Sequence, residues 1–377
     1  MNKVLLIRSS AFKTTRVIRQ ANELANSGYH VSILHWERMV DKAHNDNVIS
    51  SLDFDCNVLA FNKKCEYGKG IYSLFTRLGW FYYIIKTIIK LSPNIVHAVD
   101  FDSAFPTYLA SKIKRLKLVY DIADFIETFD SNIPNVVRKI VRNLSERIVK
   151  SASLIVIPDD NRRSNIDECY YNKVCLVNNA PDIDFDSLKE YQLPIREVEF
   201  LGKSTLNLFY YGAFNEDRAI RIFLEASQDD RLSGVTFWFA GWGALEAEVS
   251  NFKADNVHYL GRLKQVEAIS LLQRMDCSLI YYDPMYEHNR LASPNKIFEA
   301  MAVGIPVLVS VDTSIDKLVI KENIGYVSDY NVESLIRTVM SINKEENAIK
   351  SRNILSLYNE HSWDKSARTL RESYEKL

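Results

Sequence analysis

The sequence lacks several features that define large classes of proteins. Its five cysteines form no C-x-x-C pair and no metal-ligand spacing, which disfavours zinc and predicts reduced thiols. No apolar run approaches the ~18 residues that span a bilayer. The first ten residues, "MNKVLLIRSS", contain too few apolar positions for a signal peptide. These absences predict a cytoplasmic protein.

A strong net charge is also absent. The chain has 47 Lys and Arg against 48 Asp and Glu, so it lacks the strongly basic character of a nucleic-acid-binding protein. Residues 1–195, however, hold 26 basic and 22 acidic side chains. Within them, residues 63–117 have ten basic to three acidic and residues 138–150 have five to one. Such clusters are either solvated faces or surfaces that attract anionic lipid headgroups at the inner face of a membrane.

Short apolar runs alternate with helical patterns along most of the 377 residues. Seven runs precede residue 180, from "VLLIR" to "VCLVNN", and six follow, from "LNLFYYG" to "GYVSD". This alternation predicts parallel sheets covered by helices. The polar stretch 186–204 interrupts the rhythm and is predicted to be a linker. We therefore expect an α/β chain of two Rossmann-like, doubly wound domains, residues 1–185 and 205–360, that face each other across a cleft.

The stretch "RLASPNKIFEAMAVGIPVLVS" places a lysine where a helix begins. Ser293 is the predicted N-cap and Pro294 the first helical residue, so Lys296 falls in the first turn with Glu299 three residues later. The positive end of the helix dipole disfavours a cation unless an anion binds there. The spacing fits a diphosphate at Lys296 and ribose hydroxyls at Glu299. The alternative is an ordinary surface lysine and glutamate.

This stretch closely resembles the donor-binding signature of glycosyltransferase family 4, the retaining nucleotide-sugar enzymes of GT-B fold. The residues "SPNKIFEAMAVGIPVLVS" contain the motif S-P-N-K-x-F-E, which a subset of that family has. The members of this subset are mostly enzymes of polysaccharide assembly. "LFYYGAFNEDRAIRIFLEA" is similar to the strand, glycine and basic residue of that family and puts Arg218 at the donor diphosphate. "FWFAGWGALEAEV" resembles its G-x-G turn, and the stretch beginning "NVHYLGRLK" its base-binding loop. The last residues, 361–377, resemble the helix that returns to the N-terminal domain.

The resemblance implies roles for nine residues of the second half. The catalytic set is Arg218, Lys296 and Glu299. The donor-binding set is Gly212, Gly241, Gly243, Arg262, Ser293 and Asn295. It further implies a UDP- or GDP-linked sugar as the donor and a glycan or lipid-linked glycan as the acceptor. No cofactor or metal is expected, because the basic residues neutralise the diphosphate.

Two positions and the first loop depart from the family pattern, since "RSSAFKTTR" has no glycine where the family has a glycine-rich loop. Leu291 stands where many members have a sugar-contacting glutamate, and Val99 replaces the second histidine of an H-x-H pattern. These departures leave open a nucleotide-sugar-binding scaffold without turnover. A GT-B epimerase acting on UDP-sugars is another alternative. The third glycine of a dinucleotide fingerprint is missing, since Glu246 stands there, which disfavours a nicotinamide-type protein.

Polar residues at the strand ends of the first half are candidates for the acceptor side. They are Arg8, Ser10, Arg16, His97, Asp100, Asp121 and Asp124. Ordinary loop capping or a surface position would explain several of them equally well. Asp100 and Asp102 also form a D-x-D, which holds a divalent cation in the other glycosyltransferase fold. The simpler interpretation puts Asp100 at the cleft and Asp102 as the cap of the following helix.

The aromatic stretch "GIYSLFTRLGWFYYIIKTIIK" predicts a helix over residues 70–90. Its apolar content is typical of a core helix. Its aromatic residues beside lysines also fit a helix at a membrane interface. Peripheral contact with an anionic membrane is therefore a second expectation for this half of the chain.

Overall fold

Each half of the chain folds around its own parallel sheet. A computed structural model describes residues 2–9, 15–38, 52–65, 70–124, 134–183, 188, 201 and 205–377. These residues divide into two compact units, residues 1–178 with 364–377 (unit 1) and residues 179–363 (unit 2). The linker predicted at 186–204 lies outside the described residues except for Leu188 and Leu201.

Unit 1 is built on seven parallel strands in the order β3-β2-β1-β4-β5-β6-β7. The strands are β1 (Lys3–Arg8), β2 (His30–Glu37), β3 (Asn57–Asn62), β4 (Ile95–Val99), β5 (Lys117–Asp121), β6 (Leu154–Ile157) and β7 (Val174–Leu176). All seven apolar runs of the first half are strands, as predicted. The central strands β1 and β4 are almost wholly buried, as expected when helices cover both faces.

Within the described ranges, four α-helices and two short 3₁₀ helices connect these strands. They are α1 (Thr15–Asn26), α2 (Gly70–Leu91), α3 (Phe101–Ser111), α4 (Asn135–Ser151) and the 3₁₀ helices Asp160–Asn165 and Glu168–Lys173. Each connection through α2, α3 or α4 joins a strand to one nearer the β7 edge of the sheet. The connection through α1 joins β1 to β2 and so runs toward the β3 edge. Because parallel crossovers are right-handed, α2, α3 and α4 lie on one face of the sheet and α1 lies on the other.

The terminal helix (Trp363–Glu375) packs on unit 1, which confirms the expected return to the N-terminal domain. Its Tyr374 is buried, and the Tyr374 hydroxyl lies 2.7 Å from Nδ1 of His97 in β4. The Tyr374 ring also meets the edge of Tyr29 at a centroid distance of 5.5 Å. Residues from the two ends of the sequence therefore share one core.

Unit 2 has six parallel strands in the order β10-β9-β8-β11-β12-β13. They are β8 (Leu206–Ala213), β9 (Val235–Trp242), β10 (Val257–Tyr259), β11 (Cys277–Ile280), β12 (Val307–Ser310) and β13 (Gly325–Ser328). Again every predicted run is a strand. The strand order reverses between β8 and β11, and ligands of doubly wound sheets bind outside the carboxyl ends at such a switch point.

The described part of unit 2 also contains eight α-helices and one 3₁₀ helix. They are α5 (Ile220–Ala226), the 3₁₀ helix Asp230–Leu232, α6 (Glu246–Asn251), α7 (Gln265–Leu272), α8 (Glu287–Arg290), α9 (Asn295–Val303), α10 (Asp316–Lys321), α11 (Val332–Ser341) and α12 (Lys344–His361). The core is rich in aromatic rings, and the Phe223 ring contacts both Tyr210 and Tyr281. Helix α9 follows the switch-point strand β11 and carries the sequence that predicted a phosphate site.

None of the helices in the described part of the chain is both long enough and apolar enough to cross a membrane.

Candidate donor site

The predicted glycines lie together where β8 and β9 end. Gly212 and Gly241 are register partners on these neighbouring strands. A Cβ atom at Gly241 would lie 1.8 Å from the carbonyl oxygen of Gly212, and one at Gly243 would lie 2.6 Å from that of Phe214. The G-x-G sequence is therefore required by direct contact between two backbone segments.

This contact predicts that Gly241→Ala destabilises unit 2. Overpacking of a fixed backbone costs about 2–3 kcal/mol, which lowers the Tm by roughly 4–12 °C in a domain of this size. Thermal unfolding followed by circular dichroism measures the change. Gly261→Ala is the matched control, because Gly261 has a positive φ of 70° but no atom within 4 Å of an added Cβ. Equal losses in the two variants would contradict the backbone contact.

Lys296 lies beside the Gly212 backbone at the start of α9. The helix begins one residue later than predicted: Pro294 is the N-cap and Lys296 is the second helical residue. Ser293 is thus not the N-cap. It is buried, and its hydroxyl has no hydrogen-bond partner within the described ranges. Ser293 Oγ is therefore an unused hydrogen-bonding group at the N-terminus of a helix.

The ammonium group of Lys296 fills space that a side chain at position 212 would take. A Cβ atom added to Gly212 would lie 2.8 Å from Lys296 Nζ. Nζ is 5.6 Å from the ring centroids of both Tyr210 and Tyr211. Lys296 forms no hydrogen bond or ion pair with another described residue. A half-buried cation without an internal counterion, next to free helix N–H groups, is suited to bind an anion.

Glu299 is held firmly one turn further along α9. Its side chain is buried, the Tyr211 hydroxyl donates to Oε2 at 2.7 Å, and the Gln265 amide donates to Oε1. Burial and the Glu299 carboxylate raise the pKa of Tyr211 well above its usual value, so Tyr211 stays a donor. A carboxylate has about four lone-pair positions, and two of them are used. Sequence reasoning missed both Tyr211 and Gln265.

Arg218 is fixed by a polar cluster beyond the end of β8. Its Nη1 donates to Asp217 and to the buried Asn289, both at 2.6 Å, and its guanidinium lies 4.1 Å from the Tyr282 ring centroid. His288 Nε2 also contacts Asp217, at 3.2 Å. Arg218 is therefore oriented by partners on both sides, and its charge is partly balanced by Asp217.

The other donor-side candidates are more exposed. The Arg262 guanidinium stacks 4.0 Å from the Trp242 ring centroid, just after β10 and beside the end of β9. Asn295 is exposed as the first residue of α9. Leu291, at the end of α8, is partly exposed and brings no carboxylate to this region.

Three acceptor-side candidates of unit 1 form a buried network. Arg16 donates to both carboxylate oxygens of Asp121, at 2.9 and 3.1 Å, and His97 Nε2 lies 3.3 Å from the same carboxylate. Gln20 donates a further hydrogen bond at 2.9 Å. Burial would raise the pKa of Asp121, but the Arg16 guanidinium and His97 hold it well below its usual range. These contacts favour a structural role for Arg16, His97 and Asp121.

Asp100 and Asp124 form a second acidic group at the ends of β4 and β5. The Asp124 amide donates to Asp100 Oδ1 at 3.1 Å, and Arg162 contacts the Asp124 carboxylate at 3.2 Å. Asp100 has a φ of 61°, a left-handed conformation that is unusual outside glycine. Burial, opposed by Arg8 and assisted by the neighbouring carboxylates, raises the pKa of Asp100. Asp100, Asp124 and Arg8 thus lie together.

Asp102 does not cap α3. It is the second residue of that helix, and its carboxylate pairs with Arg77 at 3.0 Å and with Arg38 at 3.6 Å. Two guanidinium groups therefore occupy the oxygens that a D-x-D metal site would use. Ser10 lies outside the described residues.

Comparisons with solved structures cover both units. Sucrose-phosphate synthase from Thermosynechococcus elongatus matches 100% of this chain and 99% of its own, with a TM-score of 0.75 and 12% identity. HepE of Anabaena in complex with UDP-glucose matches 100% of both chains, with a TM-score of 0.71 and 14% identity. The chain has the GT-B fold. This architecture agrees with the two parallel sheets and the returning terminal helix.

A family model matches part of unit 2, and the structure of an epimerase matches nearly the whole chain. Residues 205–344 match the family model described as "Glycosyl transferases group 1", and this range contains all nine predicted donor-side residues. The GT-B fold is shared with a putative UDP-N-acetylglucosamine 2-epimerase from Listeria monocytogenes, at a TM-score of 0.69 and 17% identity over 99% of this chain and 97% of its own. No curated protein sequence matches the chain.

Proposed function

We propose that this GT-B protein is a retaining glycosyltransferase that moves a sugar from a UDP- or GDP-linked donor to a glycan or a lipid-linked glycan. The observation that carries the proposal is the presence of Lys296 and Glu299 on the same helix, α9, in different states. Lys296 has no counterion among the residues that the structure describes, whereas Glu299 is immobilised by Tyr211 and Gln265. The group 1 match over residues 205–344 supports the same activity.

In the proposed complex, the diphosphate binds at the N-terminus of α9. The free N–H groups, the helix dipole and Lys296 then act on the same charge. Ser293 Oγ supplies a further donor, because it is buried and unpaired within the described ranges. Arg218, held by Asp217 and Asn289, adds a second cation. We propose that these groups replace a divalent metal.

Glu299 is proposed to bind the ribose. Its two oxygens already accept from Tyr211 and Gln265, and their remaining lone pairs can accept from two neighbouring hydroxyl groups. The rigid carboxylate fixes the nucleoside with respect to Lys296. Such preorganisation lowers the entropy lost when the donor reaches its reactive position.

The proposed transfer breaks the bond between the anomeric carbon and the diphosphate oxygen. A bond from the acceptor oxygen to that carbon forms on the same face, which retains the configuration. The acceptor proton passes to the departing diphosphate oxygen, so no protein base is required. Lys296 and Arg218 stabilise the negative charge that develops on this oxygen, and such preorganised electrostatic stabilisation is usually the largest catalytic contribution.

On the acceptor side, we propose Arg8, Asp100 and Asp124 as the groups that contact the glycan. We do not include Arg16, His97 and Asp121, because their polar groups already bind one another in the buried network. A lipid-linked acceptor would place the protein at the cytoplasmic face of a membrane. The basic stretches of unit 1 support this location.

A ligand screen by thermal shift tests the donor assignment. UDP or GDP at 100 times its Kd stabilises the folded protein by ~2.7 kcal/mol, which raises the Tm of unit 2 by roughly 5–10 °C. We expect one nucleoside diphosphate to do so and ATP to have little effect. Failure of every nucleoside diphosphate and nucleotide sugar to raise the Tm would contradict the proposal.

Turnover separates the enzyme from its two alternatives. Slow donor hydrolysis or sugar transfer that persists in EDTA supports the proposed enzyme. Donor binding with no turnover would instead indicate a nucleotide-sugar-binding scaffold, the alternative left open by Leu291 in place of a sugar-contacting glutamate. Interconversion of the free UDP-sugar without an acceptor would indicate an epimerase. Transfer that EDTA abolishes and Mn²⁺ restores would overturn metal independence.

A further inference from the structure

Helix α2 exposes large apolar side chains along one side. At positions three, four and seven residues apart, these side chains are Phe75, Leu78, Tyr82 and Ile89. Phe75 is 76% exposed and Tyr82 is 68% exposed. The opposite side of α2 fills the core of unit 1 with Trp80 and Ile84. Both sides of α2 are therefore apolar, which folding of unit 1 alone does not require.

Helix α4 and the turn after α3 show the same feature. In α4, Val136 is 71% exposed, and Val137 and Ile140 are exposed as well. Ile113, just past α3, is 76% exposed. Because α2, α3 and α4 lie on one face of the sheet, their outward sides belong to one surface of unit 1. We call the exposed residues of these three segments the basic apolar face.

Cations surround these apolar side chains. The exposed ones are Lys86, Lys90, Lys112, Lys114, Arg115, Lys139, Arg142, Arg147 and Lys150. On α2, on α4 and on α3 with its following turn, the described residues include one exposed carboxylate, Glu146, which lies 3.5 Å from Arg142. The surface thus combines apolar groups with a large excess of positive charge. Two copies of such a face would repel each other.

We propose that the basic apolar face docks onto a bilayer containing anionic phospholipids. The apolar side chains of α2 and α4 enter the boundary between headgroups and acyl chains, and the lysine and arginine side chains contact the lipid phosphates. The helices lie in the plane of the interface rather than across the bilayer. This docking rests on the membrane location in the proposed function and adds the surface and the lipid class, whereas it does not depend on donor chemistry.

Co-sedimentation with vesicles tests the docking. We expect the intact chain to bind vesicles of phosphatidylcholine mixed with phosphatidylglycerol and to bind pure phosphatidylcholine much more weakly. High salt should reverse the binding, since the screening length falls from about 8 Å at physiological ionic strength to about 3 Å at 1 M. Equal binding to both vesicle types, or none to either, would overturn the proposal.

Two variants separate the contributions. Lys86→Gln with Arg147→Gln removes two cations and is expected to weaken binding roughly 25-fold, about fivefold for each. Phe75→Ser with Ile140→Ser removes two apolar groups and is expected to weaken it at least about tenfold. Unchanged vesicle binding in either double variant would contradict the proposed face.

Matched controls lie on unit 2. Ile320→Ser with Leu355→Ser makes the same apolar-to-polar change at exposed positions, and Lys253→Gln with Lys317→Gln removes two exposed cations. Both are expected to bind vesicles as the unsubstituted chain does. Circular dichroism reports folding, and the Tm increase with the nucleoside diphosphate identified by thermal shift reports donor binding. A dimer that Phe75→Ser dissociates, with no vesicle binding, would assign the face to a second copy and overturn the proposal.

Discussion

Replacing Lys296 by alanine should lower kcat for sugar transfer by about 10²–10³-fold, the loss typical for one preorganised group that stabilises developing negative charge. The ammonium group lies at the N-terminus of α9 beside Gly212 and has no counterion among the described residues. Its removal leaves the helix dipole and Arg218 to stabilise the departing diphosphate. Steady-state kinetics with the nucleotide sugar identified by thermal shift measure the change.

Lys317 provides the matched control for this experiment. It is also the second residue of a helix in unit 2, α10, and it is exposed. Lys317→Ala should therefore retain the full transfer rate and the full Tm increase with the nucleoside diphosphate identified by thermal shift. If Lys296→Ala keeps both the turnover and the donor affinity of the unsubstituted protein, then Lys296 is not part of the donor site.

Replacing Asp121 by alanine should destabilise unit 1 by about 3–5 kcal/mol. The change leaves the buried Arg16 guanidinium without its carboxylate, and an unpaired buried charge carries this cost. Arg16 is 7% exposed and Asp121 is fully buried, so solvent cannot replace the lost contact. The Tm should fall by roughly 6–20 °C, measured by circular dichroism.

An exposed ion pair of the same unit is the control for Asp121. Asp160 pairs with Arg163 at 2.5 Å, but its side chain is 70% exposed. Asp160→Ala should cost no more than about 1 kcal/mol, as is usual for surface pairs. A Tm decrease as large as that of Asp121→Ala would show that burial of the pair is not the cause.

The same carboxylate predicts a dependence of stability on pH. The pKa of Asp121 is lower in the folded state than in the unfolded state, so its contribution is fully present above the unfolded value of about 3.9. That contribution is lost as the pH falls below about 4 toward the folded pKa. The unfolding free energy of the unsubstituted protein should therefore decrease more steeply in acid than that of Asp121→Asn.

The strands could be predicted because burial on both faces leaves a strong local signal. Runs such as "VLLIR" and "VTFWFAG" are short, apolar and bounded by polar segments. The first residue of a helix depends on a few local contacts, and its signal in the sequence is therefore weaker than that of a buried strand. The Ser-Pro pair predicted a cap at Ser293, but the helix begins after Pro294, and Ser293 is left buried without a partner within the described ranges.

Long-range partners explain what sequence reasoning missed at the sites. Tyr211 and Gln265 are 88 and 34 residues from Glu299, and no local spacing relates them. Asp121 follows an apolar run in the same way as an exposed loop aspartate would. Its burial depends on Arg16, which is 105 residues away, so the sequence could not distinguish an acceptor-binding group from a structural one.

The packing of the terminal helix on unit 1 also determines which unit is completed first during synthesis. Unit 2 is a continuous stretch, residues 179–363, whereas unit 1 includes residues 364–377. A ribosome therefore releases all of unit 2 before the segment that covers His97. The unit that begins first is therefore completed last, and the native contact between His97 and Tyr374 cannot form until all of unit 2 has been synthesised. Domains usually fold as units in N-terminal-first order, whereas here the last segment of unit 1 is synthesised only after unit 2.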